Sequence, residues 1–247
     1  KIRLLGPNCI GLLDTHFPLD TTFLPAPMPT PGDVAFISQS GAICAAIIDW
    51  ARGQGFGFSK LISLGNQADV NETDMLAAVA EDKNTRVLTL YLESVSNGRK
   101  FVETATNITK QKPIIALKVG RFASGQRAAA SHTGAMAGDD IAYQAAFQKS
   151  GVFRASSSEE MFDWASALAC SPLPFGRRMA VLTNAGGQGV IAADALELEG
   201  LSLADLLPET RKELEELLPS AAGLHNPIDM LASASPQMYA DCLMALI

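Results

Sequence analysis

The loop around His132 is the part of this sequence best suited to covalent chemistry. Residues 120–135 place one of the three histidines of the 247-residue chain on a stretch rich in Gly, Ala and Ser. No large apolar residue is adjacent to His132, so we expect its imidazole to be exposed. Such an imidazole can donate or accept a hydrogen bond or form a covalent bond. The alternative is an ordinary surface histidine without a function.

Two glycine-containing turns each connect a predicted strand to a predicted helix. They are Ser38–Ala42 (SQSGA) and Asn184–Val190 (NAGGQGV). A helix N-terminus leaves backbone N–H groups free, and its dipole favours an anion. The sequence therefore predicts two phosphate-binding turns, with ligands from Ser40, Gly41, Ala42, Gly186 and Gly187.

Other interpretations of these turns remain open. Ser40 could serve only as an N-cap, with Gly41 easing the turn. A nucleophile elbow with Ser40 as nucleophile and His132 as base needs a glycine two residues earlier, where this chain has Ser38. The spacing in 184–190 also differs from the G-x-G-x-x-G dinucleotide fingerprint.

Glu93 is a candidate partner for the histidine. It ends the third predicted strand, and ligands of open α/β sheets bind beyond the carboxyl ends of the strands. We therefore expect Glu93, Ser40 and the His132 loop at one edge. A carboxylate there can bind one imidazole nitrogen and increase the nucleophilicity of the other. The alternative is a solvated glutamate at a strand end, and in either case we expect Glu93 to be exposed to water.

Strands and helices alternate regularly through the first two thirds of the chain. The predicted strands are 33–38, 59–64, 86–93, 113–118 and 152–154, and the helices after them are 42–52, 72–81, 98–108, 139–149 and 158–169. Short apolar strands alternating with helices indicate a parallel sheet covered on both faces. Five such units predict an α/β fold with a flavodoxin-like, doubly wound parallel sheet.

Proline and glycine mark the predicted domain boundaries. The divisions are a tail and proline-rich connector at 1–31, a first domain at 32–170, a linker at 171–178 and a second α/β domain at 179–247. The second domain contains a strand at 179–183 and helices at 187–199 and 208–217. It is short for a complete doubly wound domain, so we expect it to be truncated. The chain begins without Met and ends in an apolar helical stretch, so we expect a piece of a longer polypeptide.

Composition excludes several classes of protein. The net charge is −7 and no basic cluster is present, which argues against a nucleic-acid partner. The four cysteines are scattered, without spacing for zinc or a disulfide framework, so we predict no metal site. They suit a reducing cytoplasm. Without a signal peptide or a long apolar span, we expect no membrane association.

Five ordered motifs resemble the NDP-forming acyl-CoA synthetases. That family contains succinyl-CoA synthetase and the ADP-forming acetyl-CoA synthetases, whose alpha subunits this chain resembles. The resemblance covers essentially the whole chain. The motifs are Gly6–Gly11 (GPNCIG), Ser38–Gly41 (SQSG), Glu93, Ser131–Gly134 (SHTG) and Asn184–Gly187 (NAGG).

The resemblance implies a role for each candidate residue. His132 would be phosphorylated, and Glu93 would orient its ring. The turns at Ser40–Gly41 and Gly186–Gly187 would bind the phosphohistidine. Asn8 and Cys9 would lie near bound CoA. Residues 1–31 would then be the end of a CoA-binding domain with its linker, 32–170 the phosphohistidine domain and 179–247 part of a ligase domain.

The implied activity is that of an ADP-forming acid–CoA ligase similar to acetate–CoA ligase. It would use CoA, phosphate and a carboxylic acid. ATP or ADP and Mg²⁺ would bind an ATP-grasp domain or subunit outside this chain. We expect an oligomer, and we expect the 247-residue piece alone to be inactive. The alternatives are a non-catalytic CoA or acyl-CoA sensing module of a protein acetyltransferase and, third, a serine hydrolase.

Overall fold

The protein divides into two compact units, Lys1–Pro172 and Leu173–Ile247. The structure, a computed structural model, describes residues 2–54, 56–122, 139–172 and 174–247. Both units are built of strands and helices, which confirms the predicted α/β class. Among the described ranges, no helix is long and apolar enough to cross a membrane.

The first unit is organised around a seven-stranded sheet in the order β2-β1-β4-β3-β5-β6-β7. Strands β3 to β7 are parallel, and taken in chain order they have the flavodoxin-like arrangement 2-1-3-4-5. The predicted doubly wound parallel sheet is therefore confirmed. The strands are β1 (Leu12–Asp14), β2 (Leu19–Asp20), β3 (Pro31–Ser38), β4 (Phe58–Ser63), β5 (Val87–Leu92), β6 (Ile114–Lys118) and β7 (Phe153–Ala155).

Helices cover both faces of this sheet. They are α1 (Gly41–Gln54), α2 (Glu72–Ala80), α3 (Gly98–Ile108), α4 (Asp140–Ser150) and α5 (Ser158–Cys170). Helices α1 and α5 pack on one face, where Ile48 and Phe162 join the core. Helices α2, α3 and α4 pack on the other through Leu76, Phe101 and Phe147. Because strands such as β6 are buried along their whole length, they carry apolar side chains on both faces.

Local capping explains where most of these helices begin. The side chain of Asn71 accepts hydrogen bonds from two backbone N–H groups in the first turn of α2. Asn97, Asp139 and Ser157 cap α3, α4 and α5 in the same way. Each cap satisfies donors that would otherwise lack a partner at a helix start.

The N-terminal segment forms part of the sheet. Strand β1 pairs antiparallel with β4, with Leu12 opposite Ile62. Leu13 is buried in the core, and Asp14 binds the Lys60 ammonium on β4 at 2.7 Å. Strand β2 then extends the edge by pairing with β1.

The second unit contains two short parallel strand pairs, β8 with β10 and β9 with β11. The predicted strand 179–183 is divided between β8 and β9. The division coincides with the Asn226 side chain, whose Oδ1 accepts the Val181 N–H at 2.9 Å and whose Nδ2 donates to the Met179 carbonyl at 2.8 Å. The elements are β8 (Arg178–Met179), β9 (Leu182–Thr183), α6 (Gly186–Leu198), β10 (Ser202–Leu203), α7 (Pro208–Leu217), β11 (Ile228–Asp229) and α8 (Pro236–Leu246).

Candidate functional site

The candidate site of the first unit lies where the order of the parallel strands reverses. Strands β3 and β5 are neighbours, with Ser38 opposite Tyr91 at their carboxyl ends. The chain leaves β3 toward β4 on one side and leaves β5 toward β6 on the other. Doubly wound folds bind their ligands in the crevice at such a switch point. Ser40 follows β3 and Glu93 follows β5, so both predicted residues lie at this edge.

The turn after β3 leaves two backbone N–H groups without a hydrogen-bond partner in the described chain. Ser38 Oγ accepts a hydrogen bond from the Ser40 N–H at 3.1 Å and donates to the Ser40 carbonyl at 2.8 Å. Ser40 Oγ accepts from the Ile43 N–H at 3.4 Å, so Ser40 is an N-cap. The N–H groups of Gly41 and Ala42 make no hydrogen bond within the described chain. The cap therefore leaves two amides for an anion.

The turn after β9, in the second unit, has the same construction. Thr183 Oγ1 accepts from the Ala185 N–H at 3.1 Å and donates to the Ala185 carbonyl at 3.1 Å. The Gln188 N–H donates to that carbonyl at 3.0 Å. The N–H groups of Gly186 and Gly187 have no partner in the described chain, and both residues are exposed. Each unit thus has a helix N-terminus at which two backbone amides make no hydrogen bond within the described chain.

Asp229, which ends β11, lies beside this second turn and was not predicted from the sequence. One of its carboxylate oxygens is 2.8 Å from the position that a β-carbon on Gly186 would occupy. Its other oxygen accepts the Leu231 N–H at 3.0 Å. A β-carbon on Gly187 would meet nothing within 4 Å. The open approach to the α6 N-terminus is therefore at Gly187.

Glu93 is buried, which corrects the expectation of a solvated side chain. It is 7% exposed. Its carboxylate makes no hydrogen bond within the described chain. The burial of Tyr91 raises the pKa of its phenol, and the negative charge of Glu93 adds to this effect.

His132 lies outside the described residues, so its contact with Glu93 stays a prediction. The described chain reaches this loop through Arg121 on one side and Asp140 on the other. The Arg121 Nε and an Asp140 oxygen are 3.5 Å apart, and Arg154 binds the same oxygen. The Arg121–Asp140 ion pair therefore connects the two described segments that flank the loop, close to the ends of both segments.

Lys118, at the end of β6, is a buried cation that was not predicted from the sequence. It is 2% exposed. Its Nζ donates to the Val119 carbonyl and lies 4.5 Å from the centroid of the Tyr143 ring. Burial lowers the pKa of Lys118, although the charges of Asp140 and Glu93 act in the opposite direction. The sequence feature that could have identified this buried cation is a lysine at the end of an otherwise apolar strand.

Asn8 and Cys9 lie at the same edge as Ser40. Asn8 Nδ2 donates to Asn66 Oδ1, just beyond β4, at 3.2 Å. Two residues after Asn8, the Cγ2 atom of Ile10 lies 3.2 Å from the position that a β-carbon on Gly41 would occupy. The Asn8–Ile10 segment therefore borders the first turn of α1. In the described part of the chain, no group of three or more His, Cys, Asp or Glu side chains could hold a metal ion.

Comparison with known proteins identifies the family. The succinyl-CoA ligase like flavodoxin domain matches residues 31–168, and the ligase-CoA domain matches residues 179–246. The chain belongs to the NDP-forming acyl-CoA synthetases, the family that includes the ADP-forming acetate–CoA ligases and succinyl-CoA ligase. The predicted resemblance is confirmed.

Two curated relatives align with nearly all of this chain. The alpha subunit of ADP-forming acetate–CoA ligase II from Pyrococcus furiosus is 46% identical over 96% of this chain and 51% of its own length. ADP-forming acetate–CoA ligase I from Archaeoglobus fulgidus is 43% identical over 99% of this chain and 35% of its own length. The chain thus spans about half or less of these relatives.

A solved structure has the same fold across both units. It is an acetyl-coenzyme A synthetase from Ca. Korarchaeum cryptofilum, in complex with phosphate and ADP. Its TM-score with this chain is 0.91 at 40% identity, and the match covers 99% of this chain and 53% of the other. The flavodoxin-like first unit and the small second α/β unit therefore recur together in this family.

Proposed function

We propose that this chain is part of an NDP-forming acid–CoA ligase that works through a phosphohistidine at His132. The enzyme interconverts acyl-CoA, ADP and phosphate with a carboxylic acid, CoA and ATP. The observation that carries this proposal is the α1 turn beside buried Glu93. There, two backbone amides and the buried Glu93 carboxylate, none of which makes a hydrogen bond within the described chain, lie at the switch point of the sheet.

The reaction divides into three exchanges. Phosphate attacks the acyl-CoA thioester, which releases CoA and leaves an acyl phosphate. An imidazole nitrogen of His132 then attacks the phosphorus, and the carboxylic acid leaves. Finally a nucleoside diphosphate takes the phosphoryl group from His132. Such a covalent relay replaces one difficult exchange with easier steps.

The chain's own groups have distinct roles in this scheme. The free amides of Gly41 and Ala42 bind phosphoryl oxygens and stabilise the charge that develops on them. Gly186 and Gly187 provide an equivalent turn. Glu93 accepts the N–H of one imidazole nitrogen, so that the other carries its lone pair toward phosphorus. The phosphate in the Korarchaeum structure supports an anion site in this family.

The remaining components of the enzyme are the CoA site and the nucleotide site. We propose that Asn8 and Cys9 border the CoA site and that an ATP-grasp domain or subunit binds ATP or ADP. Mg²⁺ accompanies the nucleotide there. The proposal also includes a reducing cytoplasm as the location, as predicted from the cysteines. It further includes an oligomer and the domain divisions at 31, 170 and 178. The acid is acetate or another short or aryl acid.

The other candidate functions receive less support. A sensing module of an acetyltransferase would not need the phosphorylatable His132, which this chain has. A serine hydrolase would need a general base beside Ser40. The Ser40 hydroxyl instead accepts the Ile43 N–H, and within the described chain it contacts no imidazole.

The test is acyl-CoA synthesis by the complete enzyme from acetate, CoA and ATP with Mg²⁺. We expect His132→Ala to abolish turnover and His225→Ala, at an exposed histidine of the second unit, to retain it. The 247-residue chain alone should be inactive. Full turnover by His132→Ala would refute the relay, and turnover by the isolated chain would refute the separate nucleotide domain.

A further inference from the structure

The loop that contains Glu93 accepts no strand pairing within the described chain and is held by side chains from three other parts of the chain: the turn after β3, α2 and α4. Four consecutive backbone N–H groups, from Glu93 to Ser96, each donate to a side-chain oxygen. The acceptors are Gln39 for the first two, Tyr143 at 3.1 Å for the third and Glu72 at 3.2 Å for the fourth. No strand or helix ladder fixes this stretch, so these side chains determine its path.

Gln39 makes the closest of these contacts. Its Oε1 accepts the Glu93 N–H at 2.6 Å and the Ser94 N–H at 2.9 Å, and its Nε2 donates to the Ser94 carbonyl at 2.7 Å. Gln39 is 6% exposed, so these hydrogen bonds are shielded from water. Its own backbone N–H donates to the Tyr91 carbonyl at 3.2 Å. Every polar group of the Gln39 side chain is therefore used to hold the loop after β5.

Gln39 also belongs to the turn that begins α1. It lies between Ser38 and Ser40, whose mutual hydrogen bonds shape the α1 turn. The same residue therefore fixes the anion turn on one side and the Glu93 backbone on the other. The Glu93 side chain extends from this backbone, so a shift of the backbone would move the carboxylate.

We propose that Gln39 is a positioning residue, which sets the location of the Glu93 carboxylate relative to the free amides of the α1 turn. This inference rests on the proposed function, since it assigns Gln39 an effect on phosphoryl transfer that acts through Glu93. Groups that orient a functional side chain typically change activity by roughly 10- to 100-fold when they are removed.

The variants test length and hydrogen bonding separately. Gln39→Met has a similar length but cannot make the three hydrogen bonds. Gln39→Asn keeps the amide and is one methylene shorter, so it remains informative if the methionine variant does not fold. Thr89→Val is the matched control, because it removes one buried hydrogen bond in the middle of the sheet. That bond runs from Thr89 Oγ1 on β5 to the Ala35 carbonyl on β3, at 2.8 Å and away from the carboxyl ends of the strands.

The first measurement is the rate of His132 phosphorylation in the complete enzyme, with kcat and KM for the overall reaction. We expect both Gln39 variants to phosphorylate roughly 10- to 100-fold more slowly, with KM unchanged. Thr89→Val should stay within about twofold of the wild type. In a Glu93→Gln background, Gln39→Met should cause no further slowing, because coupled residues are not additive. Amide hydrogen exchange at residues 93 and 94 should accelerate in Gln39→Met.

The outcomes separate the two claims. If the wild type is phosphorylated and the Gln39 and Glu93 effects multiply, or Gln39→Met is as fast as wild type, Gln39 is not a positioning residue and the proposed function stands. If the wild-type enzyme forms no phosphohistidine, the proposed function fails and this inference fails with it. Slow, non-additive phosphorylation together with faster exchange at 93 and 94 supports both.

Discussion

Asp229 and Gly186 approach so closely that a side chain on the glycine would meet the carboxylate. The Asp229 oxygen lies 2.8 Å from the β-carbon position of Gly186, and the aspartate is held by the Leu231 N–H. Gly187, the next residue, has open space at the same place. Two adjacent glycines at one helix N-terminus therefore have different reasons to lack a side chain.

Alanine at each glycine should separate these reasons. We expect Gly187→Ala to raise the free energy of unfolding by about 0.5–1 kcal/mol, because alanine restricts the unfolded chain. It should nevertheless slow His132 phosphorylation, since a methyl group would stand beside the free amides. Gly186→Ala should be less stable than Gly187→Ala by about 1 kcal/mol or more, because Asp229 must move.

Urea unfolding and quenched-flow phosphorylation of the complete enzyme measure these two effects. Wild-type phosphorylation rates in Gly187→Ala would remove the second turn from the mechanism. Equal stability of the two alanine variants would show that Asp229 adapts without cost.

Ser40 should act as a helix cap and not as a nucleophile. Its hydroxyl accepts the Ile43 N–H, so a fluorophosphonate probe should leave Ser40 unlabelled under conditions that label a known serine hydrolase. Ser40→Ala should lower the free energy of unfolding by about 1 kcal/mol, the usual cost of losing a cap. Stoichiometric labelling at Ser40 would favour ester hydrolysis over phosphoryl transfer.

The parallel sheet was predictable because its signals are local. Each long strand is a run of apolar residues followed by a helix, and β6 is buried throughout. Strands β1 and β2 were missed because two or three residues show no periodicity. Their pairing, such as Leu12 with Ile62, depends on distant sequence. The division of 179–183 likewise depends on Asn226, far along the chain.

The candidate site was predictable only in its outline. Ser40 and Glu93 follow strands, so their common edge follows from topology. The burial of Glu93 was not predicted, because a position at the end of a strand does not by itself determine how exposed a side chain is. The role of Gln39 was hidden because its partner Glu93 is 54 residues further along the chain. The contact between Lys118 and the Tyr143 ring was likewise not predictable, because Tyr143 belongs to α4.

Glu93→Gln should slow chemistry without weakening the fold. Removing a catalytic base or its orienting group typically costs about 10²- to 10⁴-fold in rate. Because the native carboxylate is buried without a hydrogen bond in the described chain, the neutral amide should change the free energy of unfolding by less than about 1 kcal/mol. Quenched-flow phosphorylation measures the rate, with Glu103→Gln on the exposed side of α3 as control. A wild-type rate in Glu93→Gln would exclude Glu93 from the mechanism.

Lys60 and its two carboxylates should make the first unit sensitive to acid. Lys60 Nζ lies 2.7 Å from Asp14 and 2.8 Å from Asp82. Burial alone would raise the pKa of both aspartates, but hydrogen bonds from Lys60 and other donors outweigh it and lower the pKa. Because the folded pKa lies below the unfolded value of about 3.9, their contribution is complete above that pH and is lost as pH falls through the folded pKa.

The acid sensitivity can be measured as the urea midpoint of the first unit's transition at neutral and acidic pH. We expect Lys60→Met to lower the free energy of unfolding at neutral pH by about 3 kcal/mol, since it leaves two carboxylates unpaired. The difference between Lys60→Met and the wild type should shrink in acid. A difference that is constant with pH would show that the ion pairs do not account for it.

The most direct test of the phosphoryl relay is the chemical identity of the labelled intermediate. The complete enzyme, incubated with γ-labelled ATP and Mg²⁺ and then denatured, should carry a phosphate that is labile in acid and stable in base, as expected for phosphohistidine. Peptide mapping should place it on His132. The label should be absent from His132→Ala and retained in His225→Ala. An acid-stable label, or a label that persists in His132→Ala, would contradict the account.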